Sequence, residues 1–287
     1  MPNLSNIGVI REVLARHGFT FSKALGQNFL INPSVCPRMA EAAHAAPGYG
    51  ILEIGAGIGV LTAELAARAE RVVCVEIDGR LLPVLEETLS DFDNVEIVNG
   101  DVLKVDLHAL IRERFAGLQV AVAANLPYYI TSPIVMKLLE ERLPIESITV
   151  MVQKEAATRL CAAPGERACG AVSLAVQYYS SPEILFPVSR GSFLPAPNVD
   201  SCVIRLTLRR EAPIALENEA FFFSVVRAAF SQRRKTILNT LSSGLKIPKG
   251  ELGPLLEECR VSPSARAEAL TLEQFGALAN ALYAYRH

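Results

Sequence analysis

Asn125-Leu126-Pro127-Tyr128-Tyr129 places an amide side chain, a backbone carbonyl and an aromatic face at one point of the chain. Those groups suit a planar base with an exocyclic amine. The Asn125 amide oxygen and the Pro127 carbonyl can accept the two amine hydrogens while Tyr128 stacks on the ring. A strand-ending turn with a core tyrosine would read the same way, so this stretch needs support from elsewhere. Ile54-Gly55-Ala56-Gly57-Ile58-Gly59 alternates glycine with apolar residues, which lets a backbone approach a ligand closely. Its spacing is G-x-G-x-G and not the G-x-G-x-x-G of dinucleotide binders. Glu76 ends an apolar run, where a carboxylate can accept hydrogen bonds from both hydroxyls of a ribose. Asp101 follows Asn99-Gly100 and can accept from an adenine amine, or serve as an ordinary turn residue. Gln27-Asn28 lies between Leu25 and Phe29-Leu30, and offers amides from a loop anchored by its apolar residues. An exposed Phe193, in the proline-rich segment 192–200, can cover the second face of an extruded base or anchor its own loop.

Positioning these groups requires an open parallel sheet. Apolar runs at 51–54, 71–76, 95–98, 120–124 and 147–152 read as strands, and each of the first four ends at one of the polar or glycine-rich sites above. Helices are expected at 3–18, 33–46, 59–69, 80–89, 131–141, from after 155 to about 161, and at 171–180, where the Val and Tyr content also allows a strand, with further strands at 183–188 and 201–208. In such a sheet the carboxyl ends of the strands converge on one crevice, which turns separate motifs into one constellation. From residue 211 the pattern becomes helical throughout, with helices expected at 219–231, 234–241, 249–259 and 271–283. Glu211-Ala212-Pro213 is the candidate linker, dividing the chain into a domain of residues 1–211 and one of residues 212–287.

The chain has 287 residues, 51% of them hydrophobic, enough for a substantial core. No apolar run is long enough for a transmembrane helix, and the first 18 residues lack a signal pattern. Six scattered cysteines without Cys-x-x-Cys spacing argue against a disulfide framework or a zinc site, and point to a reduced cytoplasmic protein. The four histidines are equally dispersed, so no metal is expected. The net charge of −2 does not suggest a nucleic-acid partner, but its distribution is uneven. Residues 190–287 carry an excess of Lys and Arg, and residues 1–189 an excess of acids. Arg233-Arg234-Lys235 stands at an expected helix start, where the helix dipole disfavours cations and a phosphate would remove the conflict.

With these motifs in view, the chain resembles the small-subunit rRNA adenine N6-dimethyltransferases, which use S-adenosylmethionine. The resemblance covers nearly the whole chain. It rests on Gly26-Gln27-Asn28-Phe29-Leu30, Leu52-Glu53-Ile54-Gly55-Ala56-Gly57-Ile58-Gly59, Glu76, Gly100-Asp101, Asn125-Leu126-Pro127-Tyr128, residues 193–201 and Arg233-Arg234-Lys235-Thr236. It implies an α/β, Rossmann-like class I methyltransferase sheet of seven strands, the last antiparallel, with a small all-α C-terminal domain that docks on rRNA. It implies that Asn28, Leu30, Gly55, Glu76, Asp101 and Asn125 contact the methyl donor, along with Glu53 and Gly57 of the same glycine motif, the spent donor leaving as S-adenosylhomocysteine. It further implies adjacent adenines as targets, an immature small ribosomal subunit as partner, a monomer, and no membrane. Ala56 departs from the family, many of whose members have proline there. The nearest rival is the large-subunit rRNA adenine methyltransferase of the macrolide-resistance type; the Leu126 version of the motif and the full 193–201 segment favour the small-subunit type. A ribosome-assembly factor on the same fold, and a nicotinamide-dependent oxidoreductase, are more distant alternatives. The first keeps Glu76, Asp101 and Asn125 without need of them, and the second is disfavoured by the glycine spacing.

Overall fold

A computed structural model describes residues 4, 6–22 and 25–286. Residues 3 and 5, in the expected first helix, and residues 23 and 24, in the Ser22–Ile31 motif segment, lie outside the described residues. Val72, Val73, Cys74 and Val75 are all buried, as are Val120 to Ala124, so these strands hide side chains on both faces. That is the signature of parallel strands covered by helices on either side. The strands are β1 (Phe29–Leu30), β2 (Tyr49–Ile54), β3 (Arg71–Glu76), β4 (Val95–Asn99), β5 (Gln119–Asn125), β6 (Ser147–Gln153), β7 (Ser180–Val188), β8 (Phe193–Leu194) and β9 (Ser201–Leu208). Seven of them form one sheet in the order β4-β3-β2-β5-β6-β9-β7. The pairs from β4 to β6 are parallel, and β9 runs antiparallel to β6. This is the α/β sheet with a reversed last strand that the sequence implies.

Helices α1 (Ile7–Arg16), α2 (Val35–Ala42), α3 (Val60–Ala66) and α4 (Leu82–Thr88) share one core cluster with Ile51, Val72, Cys74, Ala121 and Ala123. Helix α5 (Leu107–Arg114), not foreseen from the sequence, starts at Asp106, whose side chain accepts from the Ala109 N–H at 2.9 Å. It buries Leu107, Leu110 and Ile111. Helix α6 (Thr131–Glu140) follows β5, and α7 (Lys154–Leu160) follows β6. Strand order reverses between β3-β2 on one side and β5-β6 on the other, so the ends of β2 and β5 mark the switch point where open α/β sheets bind ligands. There Ile54 pairs with Ala124, which makes Gly55 and Asn125 neighbours.

The chain divides into two compact units, Met1–Ala157 with Pro182–Leu208, and Thr158–Ser181 with Arg209–His287. The second unit is helical and takes in α8 (Ala171–Tyr179), α9 (Glu219–Ala229), α10 (Ile237–Leu245), α11 (Lys249–Glu258) and α12 (Leu272–Arg286). Segment 158–181 thus groups with the C-terminal helices, whereas a break near residue 211 leaves it with the sheet. Its aromatic residues explain the grouping. Tyr178 packs against Phe222 and Phe223, and both Tyr178 and Tyr179 donate their hydroxyls to the Glu219 carboxylate, at 2.8 and 3.1 Å. A Cβ at Gly244 would stand 2.7 Å from the Ala228 Cβ, so glycine is what lets α10 approach α9.

Candidate active site

The ends of β2, β3 and β5 open into a cleft lined among others by Asn28, Gly55, Gly57, Glu76, Asn125, Tyr128 and Phe193. A second cavity adjoins it and shares Phe29, Gly55, Gly57 and Asn125 with it, adding Leu30 and Glu53. Sites read separately along the sequence are therefore brought together.

Glu76 is buried at the end of β3. Its Oε2 accepts the Gly57 N–H at 3.1 Å and its Oε1 accepts the Asp78 N–H at 2.9 Å. Burial raises its pKa, and these two N–H groups work against that rise. Each oxygen keeps lone-pair capacity, enough for one ribose hydroxyl apiece. Gly55 has φ +77 and nothing within 4 Å of where a Cβ would stand, so the backbone leaves open space there. Its N–H is taken by the Val75 carbonyl, and that of Gly59 by Ala56. The three glycine N–H groups are thus engaged within the fold, and the glycines serve by letting a ligand come close. A carboxylate with spare acceptors beside side-chain-free backbone fits the diol and body of a nucleoside donor.

Asn125 ends β5, and its amide nitrogen donates to the Asn28 carbonyl at 3.3 Å. That bond turns the amide oxygen away, leaving it to accept. The Pro127 carbonyl departs from the expected arrangement. It accepts the Ile130 N–H and the Thr131 hydroxyl, both at 3.2 Å, because a tight 3-10 turn over Tyr128–Ile130 leads into α6. Among the described residues no donor bonds the Leu126 carbonyl, and Leu126 also lines the cleft. Tyr128 is half-buried and its hydroxyl meets Ser201 Oγ at 2.7 Å. Burial raises its pKa, against the pull of the Ser201 bond. Phe193 is not exposed, as the proline-rich segment suggests, but 3% accessible. It belongs to β8, which pairs antiparallel with β1, Leu30 opposite Phe193. It still forms part of the cleft wall.

Asp101 lines neither cavity. It follows Gly100, whose N–H donates to the Glu76 carbonyl at 2.9 Å, so it stands beside the end of β3. Its Oδ1 accepts from Leu103 N–H at 3.0 Å. Glu53 is 1% exposed and accepts from the Cys74 thiol at 3.1 Å; burial pushes its carboxyl up to about 7. Arg233, Arg234 and Lys235 are exposed in the turn before α10, which begins only at Ile237. They lie just outside the helix, Lys235 immediately before the N-cap Thr236. Arg233 donates to the Arg167 carbonyl at 2.8 Å.

Several contributors escaped the sequence. Gln27 does not point its amide at a ligand; it donates to Asp78 at 2.7 Å and accepts from the Ser22 N–H at 2.8 Å. Arg80 bonds the same Asp78 and holds its carboxyl below the ordinary range. This chain of bonds ties the Gln27-Asn28 segment to the turn after Glu76. Ile77 and Leu81 also line the cleft.

Sheet order, reversed last strand and a cleft at the switch point define a class I methyltransferase. The family model described as Ribosomal RNA adenine dimethylase matches residues 18–283, and the chain belongs to that family. It is accordingly an rRNA adenine methyltransferase that takes its methyl groups from S-adenosylmethionine. It is 50% identical to the Ribosomal RNA small subunit methyltransferase A of Geobacillus sp. (strain WCH70), over 98% of each chain. It is 48% identical to the protein of that name from Alkaliphilus oremlandii, over 98% of this chain and 99% of the other. Among solved structures, a dimethyladenosine transferase from Plasmodium falciparum superposes with TM-score 0.72 at 27% identity, covering 87% of this chain and 95% of that one. The 23S rRNA methyltransferase ErmE gives TM-score 0.69 at 32% identity, covering 89% and 100%.

Proposed function

We propose that this enzyme dimethylates the N6 amines of adjacent adenines in small-subunit rRNA, acting as a cytoplasmic monomer on an immature small ribosomal subunit. The observation that carries this is the Asn125 amide oxygen, which no donor among the described residues bonds, in the same cleft as the buried carboxylate Glu76. Identities of about half to relatives named for the small subunit, against 32% to a 23S rRNA enzyme, favour the small subunit.

The adenine amine is a poor nucleophile because its lone pair is delocalised into the ring. Among the described residues of the cleft lining Glu76 is the one carboxylate and there is no Lys, Arg or His, while burial keeps the Tyr128 phenol protonated, so none of them serves as a base beside the amine. Asn125 Oδ1 and the Leu126 carbonyl accept the two N6 hydrogens and favour a more tetrahedral, nucleophilic nitrogen. Tyr128, held through its hydroxyl by Ser201, and Phe193 clamp the unstacked base. Asn28, Leu30, Gly55, Gly57 and Glu76 hold the donor, whose sulfonium supplies an electrophilic methyl. The N–C bond forms as the C–S bond breaks, and the amine then loses one proton to water. Positioning and desolvation supply most of the acceleration. Arg233, Arg234 and Lys235 contact rRNA phosphates.

The test is methyl transfer to small subunits lacking these methyl groups, beside naked small-subunit rRNA, mature small subunits and large subunits. Preference for the immature small subunit is expected. Methylation confined to large-subunit rRNA would overturn the assignment in favour of the macrolide-resistance type.

A further inference from the structure

Tyr129 is the most exposed of the large apolar side chains among the described residues, at 61%. A single exposed tyrosine is ordinary, but this one has an unusual place. It follows Tyr128 in the same 3-10 turn, where successive side chains point about 120° apart. Tyr128 takes the direction into the cleft and bonds Ser201; Tyr129 therefore points away, onto the rim. Gly26, a cleft-lining residue with φ +59, lies against it: a Cβ there would meet Tyr129 Cδ1 and Cε1 at 3.4 Å and Pro127 Cβ at 3.6 Å. The ring is thus braced on one side by side-chain-free backbone and open to water on the other.

We propose that Tyr129 is a stacking platform for the nucleotide next to the target adenine. The inference rests on the reading of the cleft as a site for an extruded adenine. Extruding a base leaves its neighbour without a stacking partner, and RNA-binding proteins meet unstacked bases with aromatic faces. Tyr128 and Tyr129 then divide the work, one ring on the reacting base inside the cleft and the other on its neighbour at the mouth. The arrangement also suits a target with two adjacent adenines, because the base awaiting its turn is held beside the one being methylated.

The experiment compares wild type with Tyr129→Ala, Tyr129→Leu and Tyr129→Phe on small subunits lacking the methyl groups. Loss of stacking is expected to raise KM for the particle about 10-fold in the Ala and Leu variants with little change in kcat, the pattern of lost uniform binding. Tyr129→Phe should behave as wild type, since the ring and not the hydroxyl acts. Calorimetric affinity for S-adenosylmethionine should be unchanged in all three. A second readout does not depend on the subunit. In an adenine-containing RNA oligonucleotide with 2-aminopurine beside the adenine, wild-type enzyme should quench the probe and Tyr129→Leu should not. Wild-type KM and quenching in Tyr129→Leu would overturn the proposal, as would a loss confined to donor affinity. Failure of the wild type itself to methylate small subunits would count against the substrate assignment instead, with the quenching still deciding on Tyr129.

Discussion

Glu53 gives the most direct test of the site's electrostatics. It sits on β2 beneath the glycine loop, 1% exposed, with the Cys74 thiol donating to it at 3.1 Å and Thr62 bonding it as well. Burial moves its carboxyl from 4.5 to about 7, and the nearby Glu76 pushes the same way. The folded protein then holds a proton that the unfolded chain releases, so stability falls as pH rises between these two values and levels off above the higher one. The gap corresponds to about 3 kcal/mol of stability present below the unfolded value and lost by neutral pH. Glu53→Gln is nearly isosteric and cannot ionise. Urea unfolding of the donor-free protein should therefore show a stability difference, variant minus wild type, that climbs by about 3 kcal/mol from about pH 4.5 to about pH 8. Any constant cost of the extra amide hydrogens cancels in this slope. A difference flat with pH would show Glu53 ionised in the fold, and would mean that its hydrogen-bond donors overcome burial.

Asn125→Ala should lower kcat about 100-fold or more while calorimetry still detects donor binding, because it removes an acceptor needed at the reacting amine. Ser201→Ala and Tyr128→Phe each break the 2.7 Å bond that fixes the Tyr128 ring, so each should lower turnover and the double variant should be no worse than the more damaging single change. Gly57→Ala places a Cβ 3.3 Å from the Phe29 ring at φ +59, and should cost about 1–2 kcal/mol in thermal unfolding and weaken donor affinity. Replacing Arg233, Arg234 and Lys235 together by alanine should reduce the slope of log KM against log salt by about 2, with donor affinity unchanged.

The parallel strands and their ligand-bearing ends were legible because their pattern is local. Val72 to Glu76 and Val120 to Asn125 are apolar runs closed by a polar residue, and the rule of converging carboxyl ends does the rest. What escaped depends on distant or directional information. The β1–β8 pair is two residues long on each side, and its partners Leu30 and Phe193 are far apart in sequence, so no periodicity announces it. The buried state of Phe193 follows from that pairing. Helix α5 could have been found, since Asp106 followed by Leu107, Leu110 and Ile111 carries both an N-cap and an i, i+3, i+4 stripe. The engagement of the Pro127 carbonyl by Ile130 and Thr131 could not, because it depends on which way carbonyls face in the turn after β5.

That short β1–β8 ladder has a functional consequence. It joins the segment after Asn28, on the donor side, to Phe193, on the base side, and the Asn125 amide adds a third tie by donating to the Asn28 carbonyl. A change that loosens 28–30 should disturb the orientation of the Asn125 amide as well as donor affinity. In physical terms, the residue just before β1 occupies the Asn125 amide nitrogen, and this is what leaves the amide oxygen for the amine in the proposed mechanism.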